Sequence, residues 1–314
     1  MPNVPHQTHS SATENVPPSS PPRIVVFGIR CAFTNAIVRG LIAIGHSPVA
    51  LLFPGPPKTI GLQLLSSPRR LVPLVSSQTQ PTQSFEGIPT FNIGGIRRKV
   101  TAAQVAEFAP DILIVACFPH LIPASIRSTA SVAALNIHPS LLPRHRGPDP
   151  LFWTLRDGSG QAGVTIHELA DTLDTGPVLG QTAIRYADGT SEEQLESMLA
   201  TVATDLLRSV ITSIETSTRL ARSQDESAAT YETWPTASDY SIDTRRTARS
   251  AYNFIRGIAH RGVPVTIMIG DQTVLTTEAV AYGNTEGQVN WPAEGQVAIP
   301  FEDGVLVVRP VDHS

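Results

Sequence analysis

Asp111–Phe118 reads DILIVACF, with nothing polar after its first residue. A run this short and this uniformly apolar fits a strand buried on both faces, the condition of a parallel sheet covered by helices. Toward the N-terminus, Arg23–Gly28 (RIVVFG) is a β-branched run of the same kind, and Ala32–Gly45 follows with helical apolar spacing and a terminal glycine. Ser47–Phe53 and Ile88–Ile93 predict two further strands and Val100–Phe108 a helix, whereas Pro54–Pro73 reads as a loop with one helical turn. Toward the C-terminus come a strand at Ala133–His138, a short helix at Asp149–Asp157, and strands at Gly163–Leu169 and Val178–Tyr186. Strands alternating with helices imply an α/β fold: a doubly wound, mostly parallel, Rossmann-type sheet that takes ligands beyond the carboxyl ends of its strands. The first turn is Gly28-Ile29-Arg30-Cys31 and not G-x-G-x-x-G, which argues against a dinucleotide site.

Thr190 and Glu193 predict a capping box at the start of a long helix, with Leu195, Leu199, Val202, Leu206, Val210 and Ile214 as its buried stripe. From Thr216 to Ala229 the chain turns polar, and beyond it a helix over Ile242–Ala259 precedes short β-like runs at Val265–Ile269, Thr273–Val280, Gln296–Pro300 and Val305–Arg309. Hairpin punctuation at Gly270-Asp271 and Asp303-Gly304 points to a small antiparallel sheet or barrel. The expected divisions are a disordered leader (1–22), an α/β domain (23–216), a linker (217–229) and a small, β-rich, OB-like C-terminal domain (230–314). The leader holds six prolines and no Lys or Arg, which rules out a secretory signal. His6 and His9 lie in it and are not read as metal ligands. Cys31 and Cys117 are the two cysteines, neither at metal-ligand spacing, so no metal is expected. With no apolar run of membrane-spanning length and no secretory signal, a soluble, cytoplasmic protein without a membrane partner is expected.

Leu135–Gly147, LNIHPSLLPRHRG, carries the chemistry. In a strand, Asn136 and His138 project from one face. About thirty residues on stands Leu173-Asp174-Thr175-Gly176. Taken alone, His138 reads as a packed or surface histidine, Asn136 as a turn cap and Asp174 as a cap on the turn after it. Together they supply an oxyanion donor, a proton acceptor and an acid to orient it, the parts needed for attack on a carbonyl.

Asn-x-His-x-Ser-Leu-Leu-Pro followed by Leu-Asp-Thr-Gly resembles the enzymes that use 10-formyltetrahydrofolate. These are methionyl-tRNA formyltransferase, the hydrolase domain of formyltetrahydrofolate dehydrogenase, glycinamide ribonucleotide formyltransferase and the sugar N-formyltransferases. The resemblance extends over about Arg23–Ile214, and the tail resembles the second domain of methionyl-tRNA formyltransferase more loosely. It implies formyl transfer from 10-formyltetrahydrofolate to an amine, with Asn136, His138 and Asp174 catalytic. It also implies a pterin held by Phe118, Leu121 and Pro123 and by the backbone of Ala170, Asp171, Thr172 and Leu173. Ser140 would shape the wall; Arg144 and Arg146 would meet an acidic group of the substrate, although a solvated basic turn explains them as well. Three departures stand out: Thr172 where relatives carry Gly, Pro148-Asp149-Pro150 after Gly147, and only Lys58, Arg69 and Arg70 where the tRNA enzymes have a run of lysines.

Residues 221–314 hold seven arginines, no lysine and twelve acidic residues, a net of −5. Nucleic-acid affinity comes mostly from neutralising phosphates, so this segment disfavours tRNA and favours a small amine, such as an amino sugar nucleotide, as acceptor. Two alternatives remain at this stage: a 10-formyltetrahydrofolate hydrolase, with water as acceptor, and a non-catalytic folate-binding relative.

Overall fold

A computed structural model describes residues 20–56, 61–66, 85, 87–283 and 292–311, with backbone only for 61–66. The leader up to residue 19, Lys58, Arg69 and Arg70 lie outside the described residues.

The first sheet has the strand order β3-β4-β2-β1-β5-β6-β7-β8. Its elements are β1 (Ile24–Gly28), α1 (Ala32–Ala43), β2 (Ala50–Pro54), β3 (Gly61–Ser66), β4 (Thr90–Gly94), α2 (Lys99–Ala106), β5 (Ile112–Ala116), α3 (Ala124–Arg127), β6 (Ala133–His138), α4 (Pro150–Asp157), β7 (Gln161–Glu168), β8 (Val178–Arg185) and α5 (Glu192–Glu215). From β4 to β6 every neighbour is parallel, while β3, β7 and β8 run antiparallel. Apolar strands bury both faces by simple alternation. Ile24 and Val26 enter one core with α1 and α5; Val25 and Phe27 enter another with α2 and α3. β5 divides likewise, Ile112 and Ile114 to one side and Leu113 and Val115 to the other.

Three sequence expectations change. Gly61–Ser66 is an edge strand antiparallel to β4, not a loop. The capping box of α5 lies one residue later, between Ser191 and Gln194. The buried stripe of α5 runs through Ala203, Leu207 and Ile211, leaving Val202, Leu206 and Ile214 only partly covered. This helix is long and apolar enough to span a bilayer, yet its apolar face packs on α1 and β7.

After α5 come β9 (Ser241–Asp243), α6 (Ala248–Ile258), β10 (Val265–Ile269), β11 (Gln272–Gly283), β12 (Val297–Phe301) and β13 (Gly304–Pro310). They form a second sheet ordered β12-β13-β11-β10-β9, antiparallel except where β9 joins β10. The strand β9 replaces the start of the helix expected from Ile242. The second sheet is not loosely tethered: Phe254 of α6 packs edge-on to Phe152 of α4 with ring centroids 5.5 Å apart, and both belong to the core of the first sheet.

Candidate active site

β6 ends at His138, and the sheet presents Asn136 and His138 on one side at its carboxyl edge. The antiparallel neighbour β7 sets His167 directly opposite Asn136. Asp174 arrives on the loop between β7 and β8 with φ +57, a left-handed conformation that an Asp tolerates better than most residues.

Asn136 hydrogen-bonds to both Asp174 and His167, and His138 stands beside them. The Asn136 amide gives one hydrogen to Asp174 Oδ1 at 3.0 Å and reaches His167 Nε2 at 3.2 Å with the other. Asp174 Oδ1 is 3.7 Å from His138 Nδ1 and 3.5 Å from His167 Nε2. Its second oxygen accepts the Gly147 N–H at 2.9 Å. The partners fix both tautomers. His138 Nε2 donates to the His145 carbonyl at 2.8 Å, which leaves the lone pair on Nδ1 facing Asp174. His167 Nδ1 donates to the Glu168 carbonyl at 2.8 Å, leaving Nε2 to accept from Asn136.

Burial costs the charged form of His138 more than the Asp174 carboxylate returns, so its pKa falls below the ordinary histidine value. Asp174 is also buried, yet the two imidazoles and the Gly147 N–H hold its carboxyl well below the usual carboxylate range. At neutral pH the group therefore combines a carboxylate, a neutral imidazole with an open nitrogen, and a pinned carboxamide. Such a set has the parts to move a proton and polarise a carbonyl.

The group lines a cavity of about 430 Å³. Phe118, Leu121, Ile122, Leu169 and Leu173 give it apolar walls, joined by Ala170 and Thr172. Trp234 and Arg261 reach it from the second half of the chain. Arg261 is committed there: it binds both oxygens of Asp149 at 2.7 and 3.0 Å and also bridges to Glu192.

Not every expected residue lies on this wall. Pro123 precedes α3 as its cap, and the Asp171 carboxylate turns outward to Arg127 at 2.5 Å. Ser140 is buried, donating to the Arg144 carbonyl at 2.8 Å. Arg144 pairs with Asp157 at 2.5 Å. Arg146, fully buried, gives its guanidinium to Gln224 at 2.8 Å, to Glu226 at 2.6 Å and to the Tyr231 hydroxyl. Both arginines are thus paired with protein groups, and neither lines the cavity. Within residues 217–229, the expected linker, Gln224 Nε2 donates to the carbonyls of Asp174 and Gly176, each at 2.8 Å.

His167 was missed in the sequence. It stands two residues after Thr165 in a predicted strand, a faint periodic signal, and only the pairing of β6 with β7 gives it meaning.

Residues 22–211 match the formyl transferase family. The methionyl-tRNA formyltransferase of Thiobacillus denitrificans is 26% identical over 294 residues, covering 92% of each chain. That of Desulfotalea psychrophila is 28% identical over 276 residues, 88% of this chain and 81% of the relative. Among solved structures, an N-formyltransferase from Helicobacter canadensis in complex with folinic acid and dTDP-3-aminofucose superposes with a TM-score of 0.62 at 12% identity, covering 91% of this chain and 98% of that one. HypX from Aquifex aeolicus in complex with tetrahydrofolic acid gives 0.56 at 16% identity, over 92% of this chain and 44% of that one. With three fifths of its length inside that match and its polar group gathered at the sheet's carboxyl edge, the chain belongs to the formyl transferase family.

Proposed function

We propose that this enzyme moves the formyl group of 10-formyltetrahydrofolate to a primary amine, and that its acceptor is a small molecule such as an amino sugar nucleotide. The observation that carries the reading is the convergence of Asn136, His138, His167 and Asp174 in one apolar cavity. The apolar walls suit a flat pterin, which needs stacking surface. The bound folate supplies an electrophilic formyl carbon. His138 Nδ1 takes the proton that the amine sheds, and the imidazolium formed there is stabilised by Asp174 already in place. Asn136 donates to the formyl oxygen as negative charge develops. To do so its amide must release one of its two present acceptors, and His167 is the weaker hold at 3.2 Å.

The preference for a small amine rests on charge. The part of the chain from residue 221 carries a net of −5. Four of its seven arginines are already neutralised: Arg245 by Asp243, Arg249 by Asp188, Arg261 by Asp149 and Glu192, and Arg309 by Glu278. Such a surface has little free positive charge to offer phosphates. Initiator tRNA is the second reading, favoured by the near full-length similarity to a methionyl-tRNA formyltransferase. Incubation with 10-formyltetrahydrofolate alone, with a panel of amines and with methionyl-tRNA separates the cases by mass. An adduct of about 28 Da on a small amine is expected. Formate release without any amine would instead make the enzyme a hydrolase, and an adduct on tRNA alone would overturn the acceptor assignment.

A further inference from the structure

The chain has only two cysteines, and the fold sets them side by side. β1 and β5 are adjacent parallel strands whose last paired residues are Gly28 and Ala116. Cys31 and Cys117 therefore occupy neighbouring turns just beyond the two carboxyl ends. Both pack against the same core, and both are free thiols. Cys31 caps α1, its sulfur accepting the Thr34 N–H at 3.4 Å and lying 3.4 Å from the Thr34 hydroxyl. That hydroxyl donates to the Ala116 carbonyl at 3.0 Å, so one threonine links the Cys31 sulfur to the backbone that carries Cys117.

The pair is chemically uneven. A hydrogen bond from the Cys117 thiol, helped by Thr34, lowers Cys31 to about 6, whereas burial and its neighbour push Cys117 up. Glu196 on α5 opposes ionisation of both but does not cancel the effect at Cys31. At neutral pH Cys31 is thus mostly thiolate, the reactive form, with a second sulfur at hand to resolve an oxidised intermediate. Cys117 also lines the cavity, in a left-handed conformation of φ +59 immediately before Phe118.

We propose that Cys31 and Cys117 are a redox-modifiable dithiol at the edge of the cavity, with Cys117 lining it, which a hydroperoxide closes to a disulfide that weakens folate binding. The Cys31 thiolate attacks the peroxide; the O–O bond breaks, an alcohol (water, from hydrogen peroxide) leaves after taking a proton, and Cys31 becomes a sulfenic acid. The Cys117 sulfur then attacks Cys31, the S–O bond breaks, and water departs with the Cys117 proton. Two thiols lose two electrons in total, and one hydroperoxide is reduced to alcohol and water. Closing the bond draws the Cys117 turn toward α1 and shifts Phe118, which packs edge-on to Phe27 at 5.5 Å. The effect on binding rests on the folate reading of the cavity; the pairing of the cysteines does not.

The test is exposure of the full-length protein to hydrogen peroxide, followed by denatured intact mass, thiol titration and a folinic acid binding isotherm. The expected result is a loss of about 2 Da with no titratable thiol. Folinic acid affinity should fall about tenfold and recover with dithiothreitol. Cys31→Ser should lose neither mass nor affinity under the same treatment. Two thiols surviving the oxidant would overturn the pairing, and a disulfide without loss of affinity would overturn its control of binding. Reduced protein that fails to bind folinic acid would overturn the folate reading, and with it the control of folate binding, while the mass measurement alone decides the pair.

Discussion

The backbone of Gly176 leaves no room for a side chain: a Cβ there would stand 1.7 Å from the Glu168 carbonyl oxygen. That same oxygen accepts the His167 Nδ1 hydrogen at 2.8 Å. Gly176→Ala must therefore displace the group that sets the His167 tautomer, and we expect it to cost about 1–3 kcal/mol of stability as overpacking does. A lowered melting temperature together with a lowered kcat would be seen; an unchanged melting temperature would contradict the contact. Gly147 is held for two reasons, a φ of +123 and a Cβ position 2.0 Å from the Glu232 carbonyl. The pH dependence is also decided at single residues. Burial lowers the His138 pKa, so the neutral base persists at neutral pH and is lost only as the pH falls below about 6.5. Asp174 stays ionised across that range. The profile of kcat/KM should be flat above neutrality and descend on the acid side, and an acid limb centred above pH 7 would contradict the assignment. Stability follows the same sign. A histidine with a depressed folded pKa stabilises above the unfolded value and loses that contribution as protons bind the unfolded chain.

At the scale of elements, the loop carrying Asp174 is steadied by a glutamine from outside the catalytic sheet. Gln224→Ala removes two hydrogen bonds to carbonyls of that loop and one acceptor of the buried Arg146. Losing such contacts costs about 1–3 kcal/mol where partners stay buried. Thermal unfolding and steady-state kinetics should register a lower melting temperature and a kcat reduced about tenfold. The strands were legible because their burial is uniform: β6 and β10 begin and end where the sequence places them, at Ala133–His138 and Val265–Ile269. β3 was not, since an edge strand is specified by pairing with β4 more than by its own pattern. The box on α5 slipped by one because two overlapping Ser/Thr–Glu/Gln pairs satisfy the same spacing. Of the site, Asn136, His138 and Asp174 were readable from motif and strand period. His167 depends on a cross-strand register that no local pattern encodes. Arg144 and Arg146 look like ligand groups in the chain, and their true partners come from Asp157 and from residues 224–231.

At the scale of the whole molecule, α4 and α6 join the two sheets through one continuous core, so the second half of the chain is part of the catalytic body. Its charge then matters near the cavity. Filter binding of initiator tRNA at two salt concentrations should show no salt-sensitive retention; a steep salt dependence would revive the tRNA reading. Everything else depends on the polar group around Asp174 acting as one catalytic unit. The direct measurement is single-turnover formyl transfer by Asp174→Asn beside its folinic acid affinity. The account predicts affinity close to that of the parent enzyme and a transfer rate reduced by about 10²–10³-fold, because the variant keeps the shape and loses the charge that supports His138. A rate near that of the parent would contradict it.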